Sequence, residues 1–181
     1  MRHVFVSGDL ALDLAGTLKW RRTEPEELLG TVGDLQDWLV QADLVDDVPI
    51  PTAEDLVRVL LLREAVYAAA SARLAATAIP REAVDHLNAV SGGPQVAHAI
   101  IDGTLRRTGD ITAAVGTVAR DATVTVAGPN APLLRECARP ECTRVFVDRS
   151  RGARRRWCGM AECGSQQKMV AYRARMRGGL G

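Results

Sequence analysis

The sequence predicts a mainly α (α+β) fold in two parts. A helical N-terminal domain with one short β-hairpin occupies residues 1–130, and a small cysteine-bearing module occupies residues 131–181. Three observations carry this. Apolar runs of helical period stand behind N-capping residues in the first part. An Asp102–Gly103 dipeptide between two short apolar runs interrupts them. All four cysteines fall within 27 residues of the second part. With 181 residues, the chain fits a domain of ~130 residues with a module attached. Its 47% hydrophobic but only 4% aromatic content predicts an aliphatic core.

The elements follow in chain order. LALDLAGTL reads as a short helix with Asp9 as its N-cap. Thr31 precedes a run in which Leu35, Trp38, Leu39 and Ala42 recur at helical spacing, and Asp34 completes a capping pair. DDVPIP is a loop. Thr52 caps the strongest helix, LVRVLLLREAVYAAASARLAATA, with Glu54 and Asp55 in the first turn, where the helix dipole favours acids. That run is apolar on most faces, which places it at the centre of the N-terminal core. Pro80 ends it and opens REAVDHLNAV, which Gly92, Gly93 and Pro94 terminate. In QVAHAIIDGTLRR, Asp102–Gly103 is the preferred pair of a type I′ turn, so two short antiparallel strands are expected. DITAAVGTVARDATVTVAG has strand-favouring Thr and Val, but the spacing of Ile111, Val115, Val118 and Ala122 decides for helix. AGPNAP is the break between the parts.

Charge divides at the same place. Residues 1–130 carry 11 basic and 18 acidic residues, a balance of −7; residues 131–181 carry 12 and 4, a balance of +8. Such asymmetry points to a polyanion-binding module on a globular body, although short arginine-rich ends are also found simply solvated. The cysteines, Cys137, Cys142, Cys158 and Cys163, have the spacing C-x4-C-x15-C-x4-C. Two close thiolate pairs match the tetrahedral preference of Zn²⁺ better than they match a redox switch or four unrelated thiols. Four thiolates close the shell, so the expected ion is one structural Zn²⁺ and not a catalytic one. TRVFVD reads as the first strand of a hairpin between the pairs, RSRGAR as its turn and RRRW as its return strand. SQQKMVAYRARMR is helical. Knuckle, β-hairpin and helix are the order of a treble-clef-like zinc finger.

The stretch CARPECTRVFVDRSRGARRRWCGMAECGSQQKMVAYRAR resembles the CGNR-type zinc finger, with Phe146, Asp148, Arg155, Arg156 and Trp157 matching alongside the cysteine frame. ALDLAGTL and DLQDWLVQADL resemble the N-terminal region that accompanies this finger in stress-induced transcriptional regulators of bacteria. The resemblance spans nearly the whole chain and implies a DNA-binding regulator. Gly16 stands where the family usually has Asn, and Cys163-Gly164-Ser165-Gln166 stands for the name-giving tetrapeptide. If those last two side chains read bases or phosphates in the family, this chain reads a different sequence or binds more weakly. The resemblance also places Asp13 and Thr17 in a recurring motif, making them candidates for a small-ligand pocket; a helix cap and a core hydrogen bond are the plainer alternative.

A helix beginning near Cys163 would point free amides outward as an anion site. Ser165, Gln166 and Gln167 fall in its first turn, and Gln is suited to adenine in the major groove. Lys168, Arg173, Arg175 and Arg177 continue along it, while Arg151, Arg154, Arg155 and Arg156 line the adjoining hairpin and suit phosphate. Sequence-specific DNA binding is expected; RNA, non-specific nucleic acid and an acidic protein partner are the alternatives. One finger buries little surface, so a homodimer is expected for useful affinity. No phosphate loop, dinucleotide fingerprint or nucleophile–base pattern stands in the chain, and His3, His86 and His98 are dispersed, so no enzyme activity is expected. The N-terminus lacks a secretory apolar region and no run approaches ~18 apolar residues, which predicts a cytoplasmic protein.

Overall fold

The computed structural model describes residues 3–178. Its order is α1 (Leu10–Ala15), β1 (Leu18–Lys19), β2 (Glu26–Glu27), α2 (Val32–Ala42), α3 (Ala53–Leu74), α4 (Arg81–Ser91), β3 (Ala97–Ile101), β4 (Thr104–Thr108), α5 (Ile111–Ala127), β5 (Leu134–Glu136), β6 (Val145–Val147) and α6 (Ser165–Gly178). The strands form three antiparallel pairs, β1–β2, β3–β4 and β5–β6. The mainly α fold with small hairpins and a cysteine-centred finger is therefore the one expected.

Local chemistry sets the helix starts. Asp9 accepts from the Leu12 N–H at α1. Thr31 with Asp34, and Thr52 with Asp55, form complete capping boxes at α2 and α3, each satisfying two otherwise orphaned donors. Leu35, Trp38 and Leu39 of α2 are buried as their spacing predicts. Helix α3 turns Val59, Leu62, Val66, Ala69 and Ala70 into the core but leaves Val57 and Leu61 exposed, so one face of it is buried and not most of them. It also stops at Leu74, short of Pro80. Ala76 adopts φ +53°, and the N–H groups of Ala76 and Thr77 close back on the carbonyls of Arg73 and Ala72. This is a Schellman cap built on alanine where glycine is usual.

Pro80 does open α4, and Gly92 closes it. Asp102 (φ +51°) and Gly103 (φ +73°) make the type I′ turn of β3–β4. Helix α5 is the choice that burial supports, with Ile111, Ala114, Val118, Ala122 and Val126 on one side. A Cβ at Gly116 would stand 2.1 Å from the Pro94 carbonyl, so only glycine lets α5 press against the chain leaving α4.

The finger's hairpin differs from expectation. β6 forms where TRVFVD predicts a strand, but its partner is β5, with Leu134 opposite Val147 and Glu136 opposite Val145. The RRRW segment is not a strand; it is tied down by the Ala138 N–H to the Arg156 carbonyl (2.8 Å) and by the Arg155 N–H to Asp148 (3.0 Å). The first cysteine pair thus sits at the tip of β5–β6. The period of two along β6 then divides its side chains between two cores. Val145, Val147 and the paired Leu134 join the aliphatic core of α1, α3 and α5, whereas Phe146 packs into the cysteine cluster. The packing therefore runs continuously across the boundary at residues 130 and 131.

Candidate zinc centre and nucleic-acid interface

Two turns of chain bring the thiols together. Cys137 and Cys142 flank the tip of β5–β6, with the Cys137 N–H bonded to the Arg144 carbonyl and the Arg144 N–H to the Cys142 sulfur. Cys158 follows the arginine segment and donates its own N–H to Cys137 Sγ at 3.4 Å. Cys163 lies in a π turn, Met160–Gly164, immediately before α6. All four are free and buried, and their sulfurs lie within 4.8 Å of one another. Cys142–Cys158 is 3.8 Å and Cys158–Cys163 is 3.6 Å. A disulfide needs ~2.05 Å, whereas a tetrahedron with Zn–S of about 2.3 Å has edges of roughly 3.8 Å. The donor set fits one structural zinc ion.

Hydrogen bonding among the sulfurs sets the thiols against one another. Cys142 draws Cys137 far below the ordinary thiol range, while Cys137 chiefly pushes Cys142 and Cys158 above it. Cys163 is lowered to about 7: Cys137 pushes it up, and Cys142 and Cys158 outweigh that push. Only a cation lets all four be thiolates at once.

The basic residues around the centre fall into two sets. Arg155 turns inward. Its guanidinium stacks 4.3 Å from the Phe146 ring centroid and donates to the carbonyls of Trp157 (3.0 Å), Val6 (2.5 Å) and Cys158. The expectation that Arg155 is a phosphate clamp is at odds with this placement, because its donors are spent holding residue 6 against the cysteine turn. Asp148 accepts from Ser150 N, Ser150 Oγ and Arg155 N, which shapes the loop between them; the Ser150 hydroxyl chiefly holds its carboxyl below the usual range. Arg151, Arg154 and Arg156 face outward from that loop, Arg156 lying over the Trp157 ring at 5.3 Å.

On α6, Ser165, Gln166, Lys168 and Arg173 are exposed and Gln167 is half-buried; the Arg175 and Arg177 side chains lie outside the described residues. Gln166, Met169, Val170 and Arg173 line one shallow groove at i, i+3, i+4, i+7 spacing. Met169 and Tyr172 are 55% and 54% exposed, so α6 presents both to solvent. The N–H groups of Cys163, Gly164 and Ser165 are already bonded to the carbonyls of Gly159 and Met160, so the free helix amides expected at Cys163 are absent there. The helical path begins at Gly159, and Glu162 occupies its first turn.

Asp13 and Thr17 are buried and turned to the protein itself. Asp13 Oδ1 accepts from Val6 N (2.9 Å) and Ser7 N (2.8 Å), and burial raises its pKa. Thr17 donates to the Leu14 carbonyl at 2.7 Å. The Asp13 bonds tie the segment before α1 to the fold and the Thr17 bond closes the end of α1, which is the plainer of the two roles expected. His3 is buried, His86 half-buried and His98 exposed. Sequence reasoning missed Lys19, Trp20, Arg139 and Arg144, which gather beside the cysteines; Lys19 and Trp20 are more than a hundred residues away in the chain, and no spacing signal announces them.

A closed tetrathiolate joined to a projecting, uncovered basic helix defines a zinc-finger protein whose metal is structural. Residues 134–176 match the CGNR zinc finger, and residues 8–129 match the ABATE family, described as "Putative stress-induced transcription regulator". The second match covers most of the chain, which belongs to that family. No curated protein matches the chain. No helix among the described residues is long and apolar enough to cross a membrane.

Proposed function

We propose that the protein is a cytoplasmic transcriptional regulator that binds duplex DNA through α6 and the outward arginines of the Ser150–Arg156 loop. The observation that carries this reading is the exposure of α6: from Ser165 to Arg173 none of its described residues is buried, although each of α1 to α5 has buried residues. A helix with Gln166 on one face, Met169 and Val170 beside it, and Lys168 and Arg173 flanking can read adenine by its amide, thymine by apolar contact, and phosphate by charge. Arg151, Arg154 and Arg156 supply further phosphate contacts. Gln166 does this in place of the family's Arg, so its preferred sequence differs. Affinity from so small an edge requires two copies, hence a homodimer on a two-fold site.

The exposed Met169, Val170 and Tyr172 favour a second reading, an acidic protein partner seated on the same helix. Selection of duplexes from random or genomic pools by the zinc-loaded protein at ~150 mM salt separates the two. A shared motif supports the regulator, and its loss in Gln166→Ala assigns the reading residue. Uniform weak binding, or none, ends the DNA reading.

A further inference from the structure

Segment 16–22 of the body runs along the finger: Arg21 N donates to Thr143 Oγ1 (3.3 Å), and Arg22 pairs with Glu136. Between this segment and the zinc centre lies a cavity of about 310 Å³. Lys19 and Trp20 line it from the body, and Arg139, Thr143, Arg144 and Gln166 from the finger. It opens at the foot of α6, on a residue already assigned to base reading.

Of its three cations, Arg144 is committed. It is 5% exposed, pairs with Glu162 at 2.9 Å, and packs so closely on Gly16 that a Cβ there would stand 3.2 Å from its Nε. Lys19 and Arg139 are differently placed. Lys19 meets Glu26 at 3.3 Å and Arg139 meets Glu141 at 3.1 Å, but both acids are about half exposed. Such rim pairs are weak and salt-screened, so a phosphate can replace either carboxylate. Trp20 holds φ +48°, a conformation that bulky side chains rarely adopt and that ligand clamps often contain. Its ring, 5.1 Å from the Lys19 ammonium, gives the cavity a flat wall of the kind on which a sugar or base can rest.

We infer that this cavity takes a nucleotide phosphate on Lys19 and Arg139, with Trp20 against the attached sugar or base. The inference builds on the DNA reading and extends the duplex footprint from the finger onto the body. The same chemistry could be met by a free phosphate ester, and the experiment separates the two sources. Duplex binding by the zinc-loaded full chain is measured between about 50 and 200 mM salt. Lys19→Gln should lower the slope of log affinity against log salt by about 0.9, the share of one phosphate contact. Glu26→Gln, which frees Lys19 from its competitor, should tighten binding. Unchanged slope and affinity in both variants, with the wild type still binding DNA, overturns the inference and leaves the DNA reading intact.

If the wild type binds no duplex, the DNA reading fails, and titration with inorganic phosphate and a mononucleotide, followed by tryptophan fluorescence, decides. Saturable quenching lost in Lys19→Gln upholds the site as one for a free phosphate ester. No quenching overturns it.

Discussion

Helices α3 and α6 are held by different means. Nine residues of α3 are buried, among them Leu62 at 1% and Val66 at 0% exposure, so its place is set by aliphatic packing worth about 1.5–3 kcal/mol for each large side chain. No described residue of α6 between Ser165 and Arg173 is buried, and a 14-residue helix of that kind is marginal alone. What orients α6 is Cys163 and the π turn before it. Packing can position a helix only by covering it. A metal can fix one end of a helix and leave its sides free to touch a partner.

The largest test of that contrast is removal of the metal. Structural zinc contributes about 10–16 kcal/mol of apparent binding free energy in small fingers, coupled to their folding. Chelation, or Cys158→Ser, should abolish duplex binding and free α6. The body should stay helical, because α1, α3 and α5 keep most of their core, but with a lowered Tm, because Leu134, Val145 and Val147 belong to that core and Val6 packs on the cysteine cluster. Circular dichroism melts with and without chelator check this. Loss of all helix signal at low temperature would mean that the body has no core of its own.

The converse is Leu62→Ala. It should cost about 2–5 kcal/mol in urea unfolding, the range for a buried leucine that leaves a cavity, while the folded variant keeps one zinc per chain. Zinc lost from folded Leu62→Ala protein would break the contrast from the other side.

The body was the more legible half of the sequence. Helix starts depend on residues three apart, so Asp9, Thr31 and Thr52 announce them, and the Asp102–Gly103 turn is equally local. The early end of α3 was hidden because Ala76 takes a conformation that its residue type does not advertise. The four zinc ligands were legible from spacing, but the hairpin partner was not. β5 is three residues long, and its pairing is chosen by a core two of whose walls, α1 and α3, lie far away in the chain. Arg155 was indistinguishable from Arg154 and Arg156 in a run of three; only the fold directs one of them inward.

Asp9 of the body and the zinc centre respond to acid in opposite directions. Burial first, then the neighbouring Asp121, raises Asp9 from 3.8 to about 6 in the folded state. A carboxyl raised on folding binds its proton more tightly in the native chain. Its stabilising contribution is therefore complete below about pH 4 and is lost as pH rises through about 6, by roughly 3 kcal/mol. Asp9→Asn should flatten that slope while keeping the cap on α1. The zinc centre does the reverse, since protons compete with the metal for thiolates and acid releases it. The difference in urea unfolding between wild type and Asp9→Asn should grow in favour of wild type from pH 6 to 4, while zinc release, followed by a chelating dye, increases over the same range. A difference that does not change with pH would mean that Asp9 is not raised on folding.

The smallest effect separates the arginines. Arg155 donates to three carbonyls, one of them Val6 of the body, and stacks on Phe146. Hydrogen bonds from a charged donor are worth about 1.5–3 kcal/mol, so Arg155→Ala should lower stability by that order. Arg154 and Arg156 are exposed, and either replaced by Ala should change stability by no more than about 0.5 kcal/mol. Each of those two should instead reduce the salt dependence of duplex binding by about one phosphate contact. The informative variant is Arg155→Lys. It keeps the charge but not the planar fork that reaches several carbonyls together, so a structural clamp loses most of its stabilising effect while a simple phosphate contact is largely preserved. Wild-type stability in both Arg155→Lys and Arg155→Ala, with a weakened salt slope in Arg155→Ala alone, would return Arg155 to the binding edge and leave the seam between finger and body to β6 and the segment 16–22.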